Sequence, residues 1–289
     1  MKVLICGADG QLGRCLLQHY PSHWQVTATN RSVLDITDPY RVKALIEKTH
    51  PHFIINAAAY TAVDLAEDDP EHAKAVNTDG VKNLAIAAKN CGAGILHIST
   101  DYVFDGDSSS PYTEDTPANP LNIYGKTKLD GELALSEILP DSLIIRTSWL
   151  FSEYGNNFMK TMLALSGKNT PLKIVSDQYG CPTYAGDLAT AIIYLLENHV
   201  KPGLYHYCGN TPVSWYQFAE FIFEQSYKAG LLHLPQTLQA ITRHEFGRPA
   251  KRPARSVLSN KKLADMMHIP DWHNAVIKVI HQLKSERQE

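Results

Sequence analysis

The chain has 289 residues, 44% of them hydrophobic, with 27 basic and 30 acidic side chains and a net charge of −3. That is enough apolar chain for one large domain or two smaller ones. The charges are mixed and no basic block stands out, which argues against a nucleic-acid or membrane-surface partner.

No apolar run approaches the roughly 18 residues that would span a bilayer. The chain enters an apolar stretch at Lys2-Val3-Leu4-Ile5, with no charged-then-apolar leader, so a cytoplasmic location is expected. Cysteines 6, 15, 91, 181 and 208 are odd in number and form no CxxC, and they read as reduced thiols. His19 and His23 are four apart, but Pro21 lies between them, and no HExxH occurs; no metal is expected.

Val3 to Cys6 reads as a strand buried on both faces. Gly7-Ala8-Asp9-Gly10-Gln11-Leu12-Gly13 follows, and Leu12, Leu16 and Leu17 then fall at helical spacing. Strand, glycine-rich turn and helix together form the context of a dinucleotide fingerprint, here GxxGxxG. Small residues admit a pyrophosphate, and the helix N-terminus offers N–H donors.

Gln25 to Thr29 reads as a second strand, ending at Asn30-Arg31-Ser32. No carboxylate stands there to repel a 2′-phosphate, and Arg31 can receive one, which leans toward NADPH over NADH. The same residues also suit an ordinary polar turn. Asp35 is placed to reach an adenine edge. Asp38 and Pro39 are suited to N-cap and first position of a helix.

Phe53 to Asn56 is the next strand. Ala57-Ala58-Ala59-Tyr60-Thr61 after it either leaves room for a flat ligand or packs tightly. Ala73, Val76, Leu84, Ala87 and Ala88 make the apolar stripe of a helix closed by Gly92. Ile95 to Thr100 is a further strand, and its carboxyl end presents Ser99, Thr100 and Asp101, where open α/β sheets bind ligands.

Tyr124-Gly125-Lys126-Thr127-Lys128 opens a helix that stops before Pro140, after a polar loop from Ser108 to Asn122. Tyr124 and Lys128 share one helical face. A cation beside a phenol lowers its pKa from about 10 and makes a proton donor usable near neutrality. Leu143 to Trp149 is the next strand.

Strands and helices thus alternate to about residue 150, which requires a parallel sheet covered on both faces. Beyond it, a helix is expected from Phe158 to Leu165, a strand at Lys173-Ile174-Val175 and a turn at Asp177 to Thr183. Another helix is expected over Asp187 to Leu196, then a strand from Gly203 to Tyr207 that returns to the sheet, and a helix capped at Ser214. Gly247 to Arg255 carries four cations in nine residues and suits either a diphosphate or a solvated loop.

These motifs converge. The Gly7–Gly13 turn, Asn56 to Asp64, Ser99-Thr100-Asp101-Tyr102-Val103-Phe104, Tyr124 to Lys128, Arg146-Thr147-Ser148-Trp149 and Asp177-Gln178-Tyr179-Gly180-Cys181-Pro182-Thr183 resemble the extended short-chain dehydrogenase/reductase superfamily. Within it they are most similar to the dTDP-4-dehydrorhamnose reductase family, in order and spacing from residue 1 to about 260. The resemblance implies an α/β fold: a Rossmann-type doubly wound parallel sheet with a smaller, discontinuous α/β substrate domain. The expected division is 1–150 plus about 184–209 for the dinucleotide, and about 151–183 plus 210–289 for a sugar nucleotide.

The resemblance also implies roles. Gly10, Gln11 and Leu12 wrap the pyrophosphate, Asp35 and Ile36 flank the adenine, and Ala58, Ala59, Tyr60 and Thr61 line the inner ribose and phosphates. Thr100 holds the substrate carbonyl. Tyr124 is the general acid. Lys128 binds the nicotinamide ribose and lowers the phenol's pKa. Asp101, Tyr102 and Trp149 touch the sugar, and Arg252 and Arg255 grip the diphosphate. The reaction implied is NAD(P)H-dependent reduction of dTDP-4-dehydro-β-L-rhamnose to dTDP-β-L-rhamnose. Two alternatives stand beside it: reduction of another 4-keto-6-deoxy sugar nucleotide, and a non-catalytic nucleotide-binding subunit of the same fold. Some relatives dimerise through magnesium held by an acidic residue of the first helix. Cys15 stands there, so any homodimer is expected to lack that bridge.

Overall fold

The computed structural model describes residues 1–167 and 170–286. β1 (Lys2–Cys6), buried from Val3 onward, leads through the glycine turn into α1 (Gln11–His19). β2 (Gln25–Thr29) and α2 (Pro39–Thr49) follow. The Asp38 carboxylate caps α2, accepting from the Tyr40 and Arg41 N–H groups at 3.0 and 3.1 Å, with Pro39 in the first turn.

β3 (Phe53–Asn56) precedes α3 (Leu65–Asp68) and α4 (Pro70–Lys74). A π-helical turn (Ala75–Asp79) links α4 to α5 (Gly80–Cys91). This is the helix expected across the 70s and 80s, with one widened turn in its middle. Gly92 closes it at φ +73°. Next come β4 (Gly94–Thr100), a 3₁₀ turn (Asp101–Val103), α6 (Ile123–Ile138) and β5 (Leu143–Thr147).

β6 (Leu150–Phe151), α7 (Phe158–Leu165), β7 (Leu172–Val175), β8 (Tyr179–Gly180) and β9 (Thr183–Tyr184) come after it. Then α8 (Ala185–Glu197) leads to β10 (Gly203–His206). The rest is β11 (Val213–Ser214), α9 (Trp215–Lys228), β12 (Leu238–Ile241), α10 (Arg243–Phe246), α11 (Lys261–Ala264) and α12 (Trp272–Glu286). Ser214 and Gln217 cap α9 reciprocally.

The main sheet runs β10-β5-β4-β3-β1-β2, all parallel. β10 returns beside β5, as its apolar run suggests. The chain steps from β1 to β2 on one side and then to β3 on the other. The crevice at the carboxyl ends of β1 and β3 is therefore the topological switch point, where such sheets take their ligands.

One face of the sheet packs Val3, Ile5, Leu96 and Ile145 against α1 and α8. The other packs Leu4, Ile54 and Ile95 against α2 and α5. A second core gathers Met159, Phe218, Ile222, Trp272 and Val276 from α7, α9 and α12. Among the described residues no helix is long and apolar enough to cross a membrane.

Candidate active site

Gly7 sits at φ +77°, and a Cβ there would lie 2.7 Å from the Ala58 amide nitrogen. A Cβ on Gly13 would run into the Gly7 carbonyl. Only glycine fits either place. Gly10 caps α1 without a side-chain hydrogen bond, and the first turn holds no acidic residue. Its backbone N–H groups and dipole end therefore stand open to an anion. The Leu12 side chain is buried in the core. The Gln11 side chain turns away, its Oε1 accepting from Ser152 Oγ at 3.0 Å and Asn157 Nδ2 at 2.9 Å. What the turn presents to a ligand is backbone.

At the end of β2, Asn30 Oδ1 accepts from Ser32 Oγ and the Val33 N–H, so its carbonyl oxygen is held within the turn. Arg31 is largely exposed and reaches Asp35 at 3.5 Å. Asp35 Oδ1 accepts from the Thr37 N–H and hydroxyl. Burial works against ionising Asp35, but the bonds from Thr37 and the charge of Arg31 outweigh it and hold the carboxyl below its ordinary value. The Ile36 side chain is buried against Gly80.

Beyond β3, the Ala58 N–H donates to Asn56 Oδ1 at 3.1 Å. Ala59 and Tyr60 are half-buried and Thr61 is exposed. Asn77, on the π-helical turn, accepts from the Tyr60 N–H at 2.9 Å and donates to the Tyr60 carbonyl at 3.1 Å and to Thr127 Oγ1 at 3.2 Å. It pins this loop to α6. It was overlooked, and its only trace in the sequence is an amide next to Val76 on the apolar stripe, a weak signal because Asn83 and Asn90 follow in the same stretch.

Thr100, Asp101, Tyr102, Tyr124 and Lys128 come together at the carboxyl end of β4. Asn122 caps α6, accepting from the Gly125 N–H at 2.7 Å, and so fixes where Tyr124 begins the helix. Gly125 is required there because a Cβ would strike the Tyr102 carbonyl. Tyr102 packs edge-on against Tyr124, with ring centroids 5.8 Å apart. Thr100 Oγ1 accepts from the Tyr102 N–H at 3.1 Å and donates to Asp101 Oδ1 at 3.2 Å. Asp101 is buried, and burial pushes its carboxyl up to about 7 against the bonds from Ser256 and Thr100.

The tyrosine and lysine depart from expectation. Burial pushes the Tyr124 phenol up to about 12; the Thr100 hydroxyl pulls it down and the Asp101 charge pushes it further up. Lys128 does not lower it. Its Nζ donates instead to the Ile98 carbonyl at 2.6 Å and lies 3.2 Å from His97 Nε2. The i, i+4 spacing puts both side chains on one helical face, but the lysine leans onto the β4 backbone while the phenol meets Thr100. Below Lys128, Glu132 accepts from Ser99 Oγ and pairs bidentately with Arg146 (3.0 and 2.6 Å), with both side chains nearly fully buried. His97 and this ion pair were also overlooked.

A cleft of about 750 Å³ opens beside these residues, lined by Phe158, Lys173, Trp215, Phe246, Arg248 and Arg252 among others. Tyr124 does not line it. The link runs through Tyr102, which touches Arg252 on one side and Tyr124 on the other. Arg252 is not free: its two terminal nitrogens hold the Asp64 carboxylate at 2.9 Å each. Arg248 stands 3.9 Å from the same carboxylate. Arg252 holds Asp64 below the usual carboxylate range. Arg255 keeps its Nε buried without a partner among the described residues.

Trp149 takes φ +45°, uncommon for a bulky residue, and stacks on Trp215 with centroids 3.4 Å apart. Gly180 makes room for its ring, since a Cβ there would approach within 2.5 Å.

This constellation runs along the carboxyl ends of a parallel sheet, from the glycine cradle at the switch point to a hydroxyl, a phenol and a lysine at the end of β4. It is the arrangement of a nucleotide-dependent oxidoreductase, and the chain belongs to the RmlD substrate-binding domain family, which matches residues 1–285. It is 44% identical to a dTDP-4-dehydrorhamnose reductase from Aggregatibacter actinomycetemcomitans, covering 95% of this chain and 97% of that one. The crystal structure of a dTDP-4-dehydrorhamnose reductase from Clostridium acetobutylicum superposes with a TM-score of 0.92 at 40% identity, covering 98% and 100% of the two chains. One from Bacillus anthracis, solved in complex with NADP, gives 0.91 at 35% identity over 97% and 99%.

Proposed function

We propose that the chain is an NADPH-preferring dTDP-4-dehydrorhamnose reductase, converting dTDP-4-dehydro-β-L-rhamnose to dTDP-β-L-rhamnose. The observation that carries this is the convergence of Thr100, Tyr124 and Lys128 at the end of β4, two strands from the glycine cradle at the end of β1. The names of the relatives support the substrate. The NADP in the Bacillus anthracis structure supports the cofactor.

The residues present fit a dinucleotide. Gly7, Gly10 and Gly13 leave space a Cβ would fill, and the backbone of Gln11 and Leu12 supplies donors to the pyrophosphate. Exposed Arg31, with Asn30 beside it in place of a carboxylate, suits a 2′-phosphate. Asp35 and Ile36 border the adenine, the latter through its backbone. Ala58 to Thr61 flank the ribose and phosphates. When bound, the dihydronicotinamide supplies the hydride.

The chain supplies orientation and the proton. Thr100 and Tyr124 hold the C4 carbonyl oxygen, and Tyr124 passes its phenolic proton to that oxygen as negative charge develops. A phenol at about 12 is fully protonated at neutral pH and so always carries the proton. Lys128 holds the nicotinamide ribose. Asp101, Tyr102 and Trp149 contact the sugar. Arg252 and Arg255 take the diphosphate, which replaces the Asp64 carboxylate on Arg252.

Residues 1–150 with about 184–209 serve the cofactor, and about 151–183 with 210–289 serve the sugar nucleotide. The enzyme works in the cytoplasm, and any homodimer forms without a first-helix metal, because Cys15 at that position is buried in the core.

The test is loss of dihydronicotinamide absorbance with purified dTDP-4-dehydro-L-rhamnose, run in parallel with NADPH and NADH. Turnover faster with NADPH is expected. Turnover only with another 4-keto sugar nucleotide would move the substrate; tight cofactor binding with no turnover on any would make the chain a binding subunit.

A further inference from the structure

His97 is fully buried in the middle of β4, and every hydrogen on its two neighbours has to be accounted for. Asn56 Nδ2 lies 3.1 Å from His97 Nδ1. The orientation of that amide is set elsewhere, because Asn56 Oδ1 accepts the Ala58 backbone N–H at 3.1 Å and only the oxygen can do so. The NH₂ group thus faces the imidazole, and Nδ1 must be the nitrogen with the lone pair. A neutral imidazole then carries its hydrogen on Nε2, which faces Lys128 Nζ at 3.2 Å.

An ammonium has three donors and no acceptor. Set against an Nε2–H, it would place donor against donor inside the protein. The assignment that satisfies every group is a neutral Lys128 amine, which accepts from His97 Nε2–H and donates to the Ile98 carbonyl.

An ammonium at Lys128 requires the opposite setting. His97 Nε2 then offers its lone pair to Nζ, the imidazole hydrogen stands on Nδ1, and the Asn56 amide turns its oxygen toward it. That setting holds one more proton in total, the one that makes the amine an ammonium. It also releases the Ala58 N–H, whose nitrogen lies against Gly7 of the phosphate cradle.

We infer that His97 and Asn56 form a two-position switch that sets whether Lys128 stands as amine or ammonium and ties that choice to the Ala58 backbone of the cofactor cradle. The pair is not a wire to solvent, since Asn56 and His97 are 1% and 0% exposed. His97 is a positioning residue that acts through Lys128.

The charges around the switch agree. Burial pulls Lys128 down to about 8, opposed by Glu132 four residues on. Burial, then the Lys128 charge, holds His97 well below its ordinary value, so it works through its tautomers and not as an imidazolium. Glu132 is itself paired with Arg146 of β5, Asp101 acts on Tyr124, and Cys6 of β1, beside Asn56 in register, is a neutral thiol pushed up to about 12.

The inference rests on the reading of Lys128 as part of the catalytic set, but its test needs no turnover. The full chain is labelled with ¹⁵N and the His97 imidazole and Ala58 amide are followed by NMR between about pH 6 and pH 10. The hydrogen is expected on Nδ1 at the acid end and on Nε2 at the alkaline end, with the Ala58 amide shifting through the same midpoint. In Lys128→Met the hydrogen should stay on Nε2 throughout. A His97 tautomer in the unaltered chain that does not change across the range overturns the switch.

His97→Gln supplies either an oxygen or an NH₂ by simple rotation. It should move the alkaline limb of turnover up by about one pH unit. A rate lowered equally at every pH would mark a merely structural histidine and overturn the inference. Should His97→Gln not fold, the tautomer measurement on the unaltered chain still decides.

Discussion

The two ends of the ligand crevice are built on different physics. At the proposed catalytic end, Thr100, Lys128, His97 and the Glu132–Arg146 pair are buried between three strands and α6, and backbone carbonyls or buried partners fix their positions. At the proposed sugar end, Arg248 and Arg252 stand on a proline-stiffened loop and are held by one partly exposed carboxylate, Asp64. The first is preorganised and costly to alter. The second is an ion-pair clamp that a ligand's own charge can open. Chemistry should therefore be written into kcat by the first region, and recognition into KM by the second.

The largest expected effect is at the phenol. Tyr124→Phe should lower kcat by roughly 10²- to 10⁴-fold while NADPH affinity, followed by fluorescence titration, changes little. A near-normal rate would break the contrast between the two ends. Next, Glu132→Gln leaves the buried Arg146 charge without its partner. Urea unfolding should report a loss of about 3–5 kcal/mol.

Arg252→Ala should raise KM for the sugar nucleotide by roughly tenfold with kcat within a factor of a few, in steady-state kinetics. An equal fall in kcat would place Arg252 with the catalytic group instead. The smallest effect is the pH dependence of the clamp. Arg252 lowers the folded-state pKa of Asp64, so the clamp's contribution is present above the unfolded value and fades as the pH falls through the folded one. The stability difference between the unaltered chain and Asp64→Asn should shrink over that acid range.

Much of the first region's frame was legible because parallel strands buried on both faces leave continuous apolar runs, and turns and caps have local chemistry. Asp38-Pro39, Gly92 and Ser214 were readable for that reason, and α7 begins and ends where the residues suggest; the Asn122 cap of α6 was not read. The spacing of Tyr124 and Lys128 was readable too, but not the direction in which Lys128 leans. That depends on the Ile98 carbonyl and His97, which β4 brings beneath α6. His97 did leave a trace, as one polar residue inside Ile95-Leu96-His97-Ile98. The Asp64–Arg252 clamp left none, since 188 residues separate its partners.

The Gln11 side chain has a mechanical consequence. Its single oxygen anchors both Ser152 and Asn157, so the cofactor turn and the segment leading into α7 share one fastening. If the turn holds the cofactor as proposed, a ligand that stills it should also still residues 152–157, so that a second ligand would meet a segment with less freedom left to lose. Cooperativity of this entropic kind would need no change of shape, and by linkage it would be equal in both directions: titrating each ligand with and without the other should give the same ratio of affinities.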